Sequence, residues 1–257
     1  MRLPVVFLRA SVMNEVQYRV NFLVQLVQSV LRLGTGLVVL AVVFRRTKTL
    51  GGWTRDELLA VMGVYTMVGG IVWALIQPNM ARLIAEIRDG KLDHVLTKPA
   101  DAQLLISVRS VDLWRLVDVV IGLAVVVVAL VRLRDLSIGQ LAAFTATLAL
   151  GSVIIYCFWL MLATSAFWLV RMNEVEELFG GLMQAGQYPV GIYPGWLKYS
   201  LTFLVPLAFA VTVPAEALTS RLGAGTVAGA VALALGMVIV SRWYFRLGLK
   251  RYSGASS

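Results

Sequence analysis

An all-α polytopic membrane fold is what this sequence predicts, and three observations predict it. Hydrophobic residues make up 59% of its 257 residues and charged residues only 14%, against about a quarter charged in a typical soluble domain. Apolar runs of the length that bridges a hydrocarbon core of about 30 Å recur along the chain. The basic excess, 23 Lys and Arg against 14 Asp and Glu for a net charge of +9, sits between those runs. Anionic lipid headgroups therefore account for it more simply than nucleic acid, which is not expected as a partner. A single cysteine, Cys157, and a single histidine, His94, exclude an intramolecular disulfide framework and a cysteine-built metal site. No metal or cofactor is expected to be bound by this chain.

Residues 3–20 read as an amphipathic helix lying on the inner leaflet, with Arg2, Arg9 and Arg19 reaching headgroups. They do not form a cleavable signal peptide, because Glu15, Gln17 and Arg19 interrupt the apolar character before any cleavage site. Six spans follow, at 21–44, 58–77, 104–131, 141–169, 175–188 and 226–244. The fifth is short, about 21 Å of helix. The apolar stretch after it, 189–218, is broken by Pro189, Pro194, Pro206 and Pro214, which predicts a re-entrant external hairpin rather than a further span. Six spans put both termini on one side of a single transmembrane domain covering residues 1–257. Thirteen of the basic residues, Arg82, Arg88, Lys91 and Lys98 among them, fall on that side and eight on the other. The positive-inside rule then places both termini in the cytoplasm.

Two spans carry polar stripes. In the first, Asn21, Gln25, Gln28, Arg32 and Thr35 recur at intervals of four, three, four and three, which stacks them on one helix face. Arg32 lies about 16–18 Å from either end of the span, beyond easy snorkelling. Such a stripe either lines a substrate path or holds helices together in a bundle or dimer. In the fifth span Glu177, Gly181, Gln184 and Tyr188 share a face, with Gln187 beside them. The two stripes are expected to meet across a central seam, with ordinary packing at Gly180 and Gly181 as the alternative for the second.

Between the second and third spans, residues 82–103 mix charges with Leu83, Ile84, Ile87, Leu92, Val95 and Leu96. Gly90 breaks the run, 92–97 reads as a short helix and Pro99 stops it. The product is an amphipathic knob, suited either to docking in a groove of a soluble partner or to packing on the inner leaflet.

In this loop the chain resembles the membrane subunit of type 2 ABC exporters, in the six-span branch whose loop reads Glu-Ile-Arg-x-Gly-x-Leu-Asp-x-x-Leu-x-Lys-Pro. Glu86, Ile87, Arg88, Gly90, Leu92, Asp93, Leu96, Lys98 and Pro99 match that pattern. The proline-marked run from Tyr188 to Trp196, then Phe203 to Phe209 and Val213 to Glu216, is similar to the family's external stretch before the last span. The resemblance implies a coupling helix at Glu86, Ile87, Arg88, Asp89, Leu92, Asp93, Val95 and Leu96 that contacts cytoplasmic ABC ATPase subunits. It further implies a second permease chain, identical or paralogous, completing a pore built from the first and fifth spans. ATP and Mg would be held by the partner subunit, so this chain is not itself an enzyme. Cysteines at Leu92 or Val95 are expected to crosslink to the ATPase. A mostly apolar seam with a few amides and one arginine favours a hydrophobic or amphipathic cargo such as a drug, antibiotic or lipid.

The segment from Leu136 to Gln140, Leu-Ser-Ile-Gly-Gln, resembles an ABC ATPase signature, but no G-x-x-x-x-G-K-[ST] phosphate loop accompanies it. Ser137 is expected to be a helix N-cap instead. Asp112, Arg115 and Asp118 are spaced for pairing on one face near the start of the third span. Trp53, Trp196, Trp243 and Tyr244 fall near span ends, as in aromatic belts. Two other classes compete with the exporter: a proton- or ion-coupled carrier using Asp112 or Asp118, and a membrane scaffold without cargo.

Overall fold

The computed structural model describes residues 19–99, 101–133, 137–169, 180–181 and 183–252. The amphipathic helix at 3–20 lies almost wholly outside the described residues, as do Glu177 and the start of the fifth span, 175–179. Among the described residues the chain is all helix and turn apart from one isolated bridge between Leu50 and Trp53. Five helices are long and apolar enough to cross a membrane, and a bent helix pair makes a sixth if it is counted as one span.

Helix α1 (Arg19–Phe44) coincides with the first predicted span. Helix α2 (Arg55–Ile71) starts at a capping box: Glu57 Oε2 accepts from Thr54 N at 2.7 Å, and Thr54 Oγ1 accepts from Glu57 N at 3.4 Å. It runs through a π-helical turn, Val72–Ile76, into α3 (Gln77–Arg88), so that 34 residues form one apolar helix. At 1.5 Å per residue this is about 51 Å, well beyond a 30 Å core, so the rod reaches past the core to the following loop. Its most apolar window is 67% buried, against 17% for those of α1 and the last helix. The α2–α3 rod is therefore the core element, and α1 lies on the outside against it.

The third span is not continuous. A short helix α4 (Asp93–Leu96) and α5 (Ala102–Ser107) precede a break, and a 3-10 turn, Leu113–Arg115, leads into α6 (Leu116–Leu133). Pro78 brings no N–H back to Ala74, four residues earlier, and the Ala74 carbonyl accepts from Asp112 N at 2.9 Å instead. Asn79 holds the rest of the break: its Oδ1 accepts from Arg109 N and Ser110 N, both at 2.9 Å, and its Nδ2 donates to Ser110 O at 2.7 Å. A buried side-chain amide thus supplies the partners that a helical turn would have supplied.

Helix α7 (Ile138–Thr164) opens on the expected cap, with Ser137 Oγ accepting from Gln140 N at 3.2 Å and Gln140 Oε1 accepting from Ser137 N at 2.7 Å. The signature-like pentapeptide is thus a capping box. Between Pro189 and Leu218 come α8 (Gly195–Tyr199), π-helical turns at Ser200–Leu204 and Ala208–Thr212, and α9 (Val213–Leu218). The two arms, Gly195–Phe203 and Ala208–Leu218, meet at 78°. Both ends of this hairpin lie at the 45–54 end of the bundle: Ile192 packs on Gly51, and Arg221 donates to Gly52 O at 2.8 Å. The bent pair is thus a broken span or a re-entrant hairpin, and it does not conflict with the latter. Helix α10 (Ala224–Leu249) closes the chain against α7.

Helices α2 and α6 make the closest pairing. A Cβ on Gly122 would lie 2.5 Å from Met67 N and 2.7 Å from Gly63 O, so backbone meets backbone there. Gly122→Ala is expected to lower stability by about 1–3 kcal/mol through overpacking, seen as a lower thermal midpoint in detergent. Gly69→Ala, at a position with nothing within 4 Å, serves as the neutral control. Trp53 does not face a headgroup belt; it is 6% exposed beneath Arg221, whose Cζ is 4.8 Å from the ring centroid. Trp196 and Trp243 are exposed, at 73% and 63%.

Candidate functional site: a polar seam and a docked loop

The stripe on α1 divides between two surfaces. Gln25 turns inward together with Ser29, while Gln28 and Thr35 stay exposed and Thr35 Oγ1 bonds back to Leu31 O at 2.9 Å. What draws Gln25 and Ser29 in is Asp118, 2% exposed at the start of α6. Ser29 Oγ donates to Asp118 Oδ1, and Gln25 Nε2 donates to Oδ2 at 3.2 Å. Arg32 NH1 stands 3.9 Å from the same Oδ2, close enough to balance its charge and too far to hydrogen-bond. Asp118 therefore does not share its neighbour Arg115 with Asp112; only Asp112 approaches Arg115, at 3.7 Å. Ser29 and Asp118 each lie fifteen residues, about 22 Å, from the far ends of their helices at Phe44 and Leu133. That depth falls inside a hydrocarbon core, where an unpaired carboxylate is costly.

The second stripe reaches the same place. A cleft of about 360 Å³ opens beside Arg32, lined by Tyr65 and Trp73 of the α2–α3 rod, Arg115, and Gly180, Met183, Gln184 and Gln187. Arg115 Cζ is 6.0 Å from the Trp73 ring centroid. Gln184 thus joins Arg32 as the spacing predicts. Gly181 is exposed and Tyr188 half-buried; neither lines the cleft, and Asn21 and Glu177 have no described side-chain surroundings. Ser29, Tyr65 and Trp73 are new members of the site. Ser29 was detectable, since it is four residues from Gln25 and three from Arg32. Tyr65 and Trp73 sit in a run that reads as uniformly apolar and gives no such signal.

At the other end of the α2–α3 rod the loop is docked, not free. Gly90, at φ +67°, takes the left-handed turn after α3. Leu92 and Val95 are then 0% and 1% exposed, so these two expected docking residues face the chain's own interior. The surface presented outward is Arg88, Asp89, Lys91, Asp93, His94 and Leu96, with Ile87 half-buried. Crosslinking to a partner is accordingly expected at Asp93, His94 and Leu96 rather than at Leu92 or Val95. Glu86 points inward as well: Arg109 NH1 and NH2 grip its two oxygens at 2.8 and 3.0 Å, and Arg82 Nε adds a third contact at 3.0 Å. Arg109 NH2 also lies 3.1 Å from His94 Nε2. The last helix and the residues just after it clamp the loop from two sides. Leu92 N donates to the Tyr252 hydroxyl at 2.9 Å, and Arg242 NH2 donates to Asp101 Oδ2 at 2.8 Å.

Burial by itself would raise the Asp101 carboxyl, but the Leu104 amide, Arg242 and the Gln103 amide outweigh it and hold the group below its ordinary value. A carboxyl lowered in the folded state contributes stability above its unfolded pKa of about 3.9 and loses it as pH falls through the lowered value. The α10–loop contact is thus expected to be unchanged from pH 7 to 5 and to weaken only below about pH 4. Thermal midpoints across that range check it, and Asp101→Asn should flatten the acid limb.

Five or six long apolar helices around a polar seam, with an internal loop docked on them, define a multi-span membrane protein. The chain belongs to the ABC-2 family of transporter proteins: the model described as "ABC-2 family transporter protein" matches residues 30–256. Neither a curated protein nor a solved structure matches the chain. Family membership makes it the membrane permease component of an ABC-type transporter, working with an ATP-binding subunit.

Proposed function

We propose that this chain is one half of a dimeric exporter pore in a bacterial inner membrane, with both termini cytoplasmic, moving a hydrophobic or amphipathic cargo. The observation that carries the reading is the convergence of Arg32 and Gln184 on one cleft, while Gln28 and Thr35 stay exposed on the same α1 helix. A polar face left open on a membrane helix calls for a partner, and a second permease chain supplies one. ATP binding on the cytoplasmic subunits would move the 82–103 loop through its outward residues. Glu86–Arg109 and the Tyr252 and Arg242 contacts would pass that motion to α3, α5 and α10.

A second reading is favoured by one observation: Asp118 is a buried carboxylate beside a cation, the arrangement a proton-coupled carrier uses. Purification with native partners, followed by transport in proteoliposomes, separates the two. The exporter predicts an ATP-binding-cassette subunit in the complex and vanadate-sensitive transport. Transport driven by a pH gradient without any ATPase would favour the carrier.

A further inference from the structure

We infer that the cleft beside Arg32 receives the anionic head of a phosphate-bearing amphiphile. This rests on the permease reading and names the chemistry of its cargo. Two guanidinium groups, Arg32 and Arg115, line the cleft, and no carboxylate does so among the described residues. Asp118 lies behind Arg32, its oxygens already engaged by Ser29 and Gln25. The Arg32 side chain is 51% exposed and its approach to Asp118 is 3.9 Å. Arg115 meets Asp112 only through Nε at 3.7 Å. Neither distance is a hydrogen bond, so both planar forks retain donors for a ligand. Such forks match phosphate oxygens bidentately, and the amides of Gln184 and Gln187 add donors at the same cleft.

The rest of the cleft suits an amphiphile rather than a free anion. Trp73, Tyr65 and Met183 give it apolar walls. Next to Arg32 on α1, Val27 and Leu31 are 55% and 65% exposed, an apolar flank along which an acyl tail can lie in the bilayer. A volume of about 360 Å³ is that of a small headgroup site. An ammonium head would meet two like charges in a medium of low dielectric, where repulsion is strong.

Isothermal titration of the intact permease–ATPase complex in phosphatidylcholine nanodiscs tests this, with dodecyl phosphate, dodecyltrimethylammonium and inorganic phosphate as probes. The expected result is saturable binding of dodecyl phosphate, at least about tenfold tighter than either other probe. Arg115→Gln should weaken it about tenfold or more, the worth of one charge-assisted hydrogen bond, and Arg115→Lys should recover part of the loss. Arg32→Gln should act alike, and Arg115→Gln keeps the test valid if Arg32→Gln fails to fold, since Arg115 does not touch Asp118. Equal affinity for the two amphiphiles, equal affinity for inorganic phosphate, or no effect of Arg115→Gln would each overturn the inference. Selective binding without vanadate-sensitive transport would fail the exporter reading alone.

Discussion

Asp118→Ala is expected to lower stability by about 3–5 kcal/mol, because it leaves the Arg32 guanidinium inside the membrane without its counter-charge and strands two donors. Asp118 is 2% exposed, and Gln25 and Ser29 reach it from α1. This side-chain triad fastens an outer helix that buries only 17% of its most apolar window. The expected observables are loss of membrane yield and a fall in thermal midpoint. Asp118→Asn, which keeps an acceptor and drops the charge, should be milder. Arg32→Gln combined with Asp118→Asn should recover much of the loss, because a neutral pair needs no balance. If the double variant were no better than Asp118→Ala, charge compensation would not be what Arg32 and Asp118 provide to each other.

Arg109→Ala has the next largest expected effect, and it falls on the loop. Arg109 and Glu86 are 8% and 9% exposed and are joined by two charged hydrogen bonds. Removing one partner of a buried pair costs about 3–5 kcal/mol when the other is left without a counter-charge, and the Arg82 contact that Glu86 keeps at 3.0 Å holds the expected cost to the low end of that range. The damage should be local, because α2 and α6 pack elsewhere along the rod. Trypsin should then cut at Arg88 or Lys91 in a variant whose spanning helices stay folded, and ATP-driven transport should drop at least about tenfold. Arg109→Lys should rescue only in part, since an ammonium cannot grip both Glu86 oxygens in one plane. Arg88→Ala, at a side chain 55% exposed, should leave stability within about 0.5 kcal/mol. Resistance of the Arg109→Ala loop to trypsin would show that Leu92 and Val95 hold it unaided.

What was legible in the sequence was local. Apolar length locates the spans, and Ser137 ahead of an apolar run reads as a helix N-cap, to which the structure adds the reciprocal bond to Gln140. The break at 108–112 was not legible. Its causes are Asn79 and the Ala74 carbonyl, about thirty residues away, acting on a stretch that is apolar enough to read as continuous helix. The loop's periodicity identified an amphipathic knob but not which body its apolar side would meet; the chain's own interior took Leu92 and Val95. Nothing in the sequence distinguishes Arg109 from the other basic residues on the cytoplasmic side, because burial and a partner at Glu86 leave no spacing signal. The polar spacing of α1 predicts a single face, but the helix divides it, with Gln25 turned inward and Gln28 and Thr35 exposed, because Asp118 on another helix, spaced to pair with Arg115, takes Gln25 and Ser29 instead. Contacts between elements, rather than propensities within them, set the chemistry of both parts of the site.

Site-directed photocrosslinking in the intact complex asks whether the outward surface of the 82–103 loop couples this permease to its ATP-binding subunit, as proposed. A crosslinker at Asp93, His94 or Leu96 should give an adduct with the ATP-binding subunit, and one at Leu92 or Val95 should give none. An intact, ATP-hydrolysing complex that gave no adduct from any of Arg88, Asp89, Lys91, Asp93, His94 and Leu96 would contradict the proposed coupling.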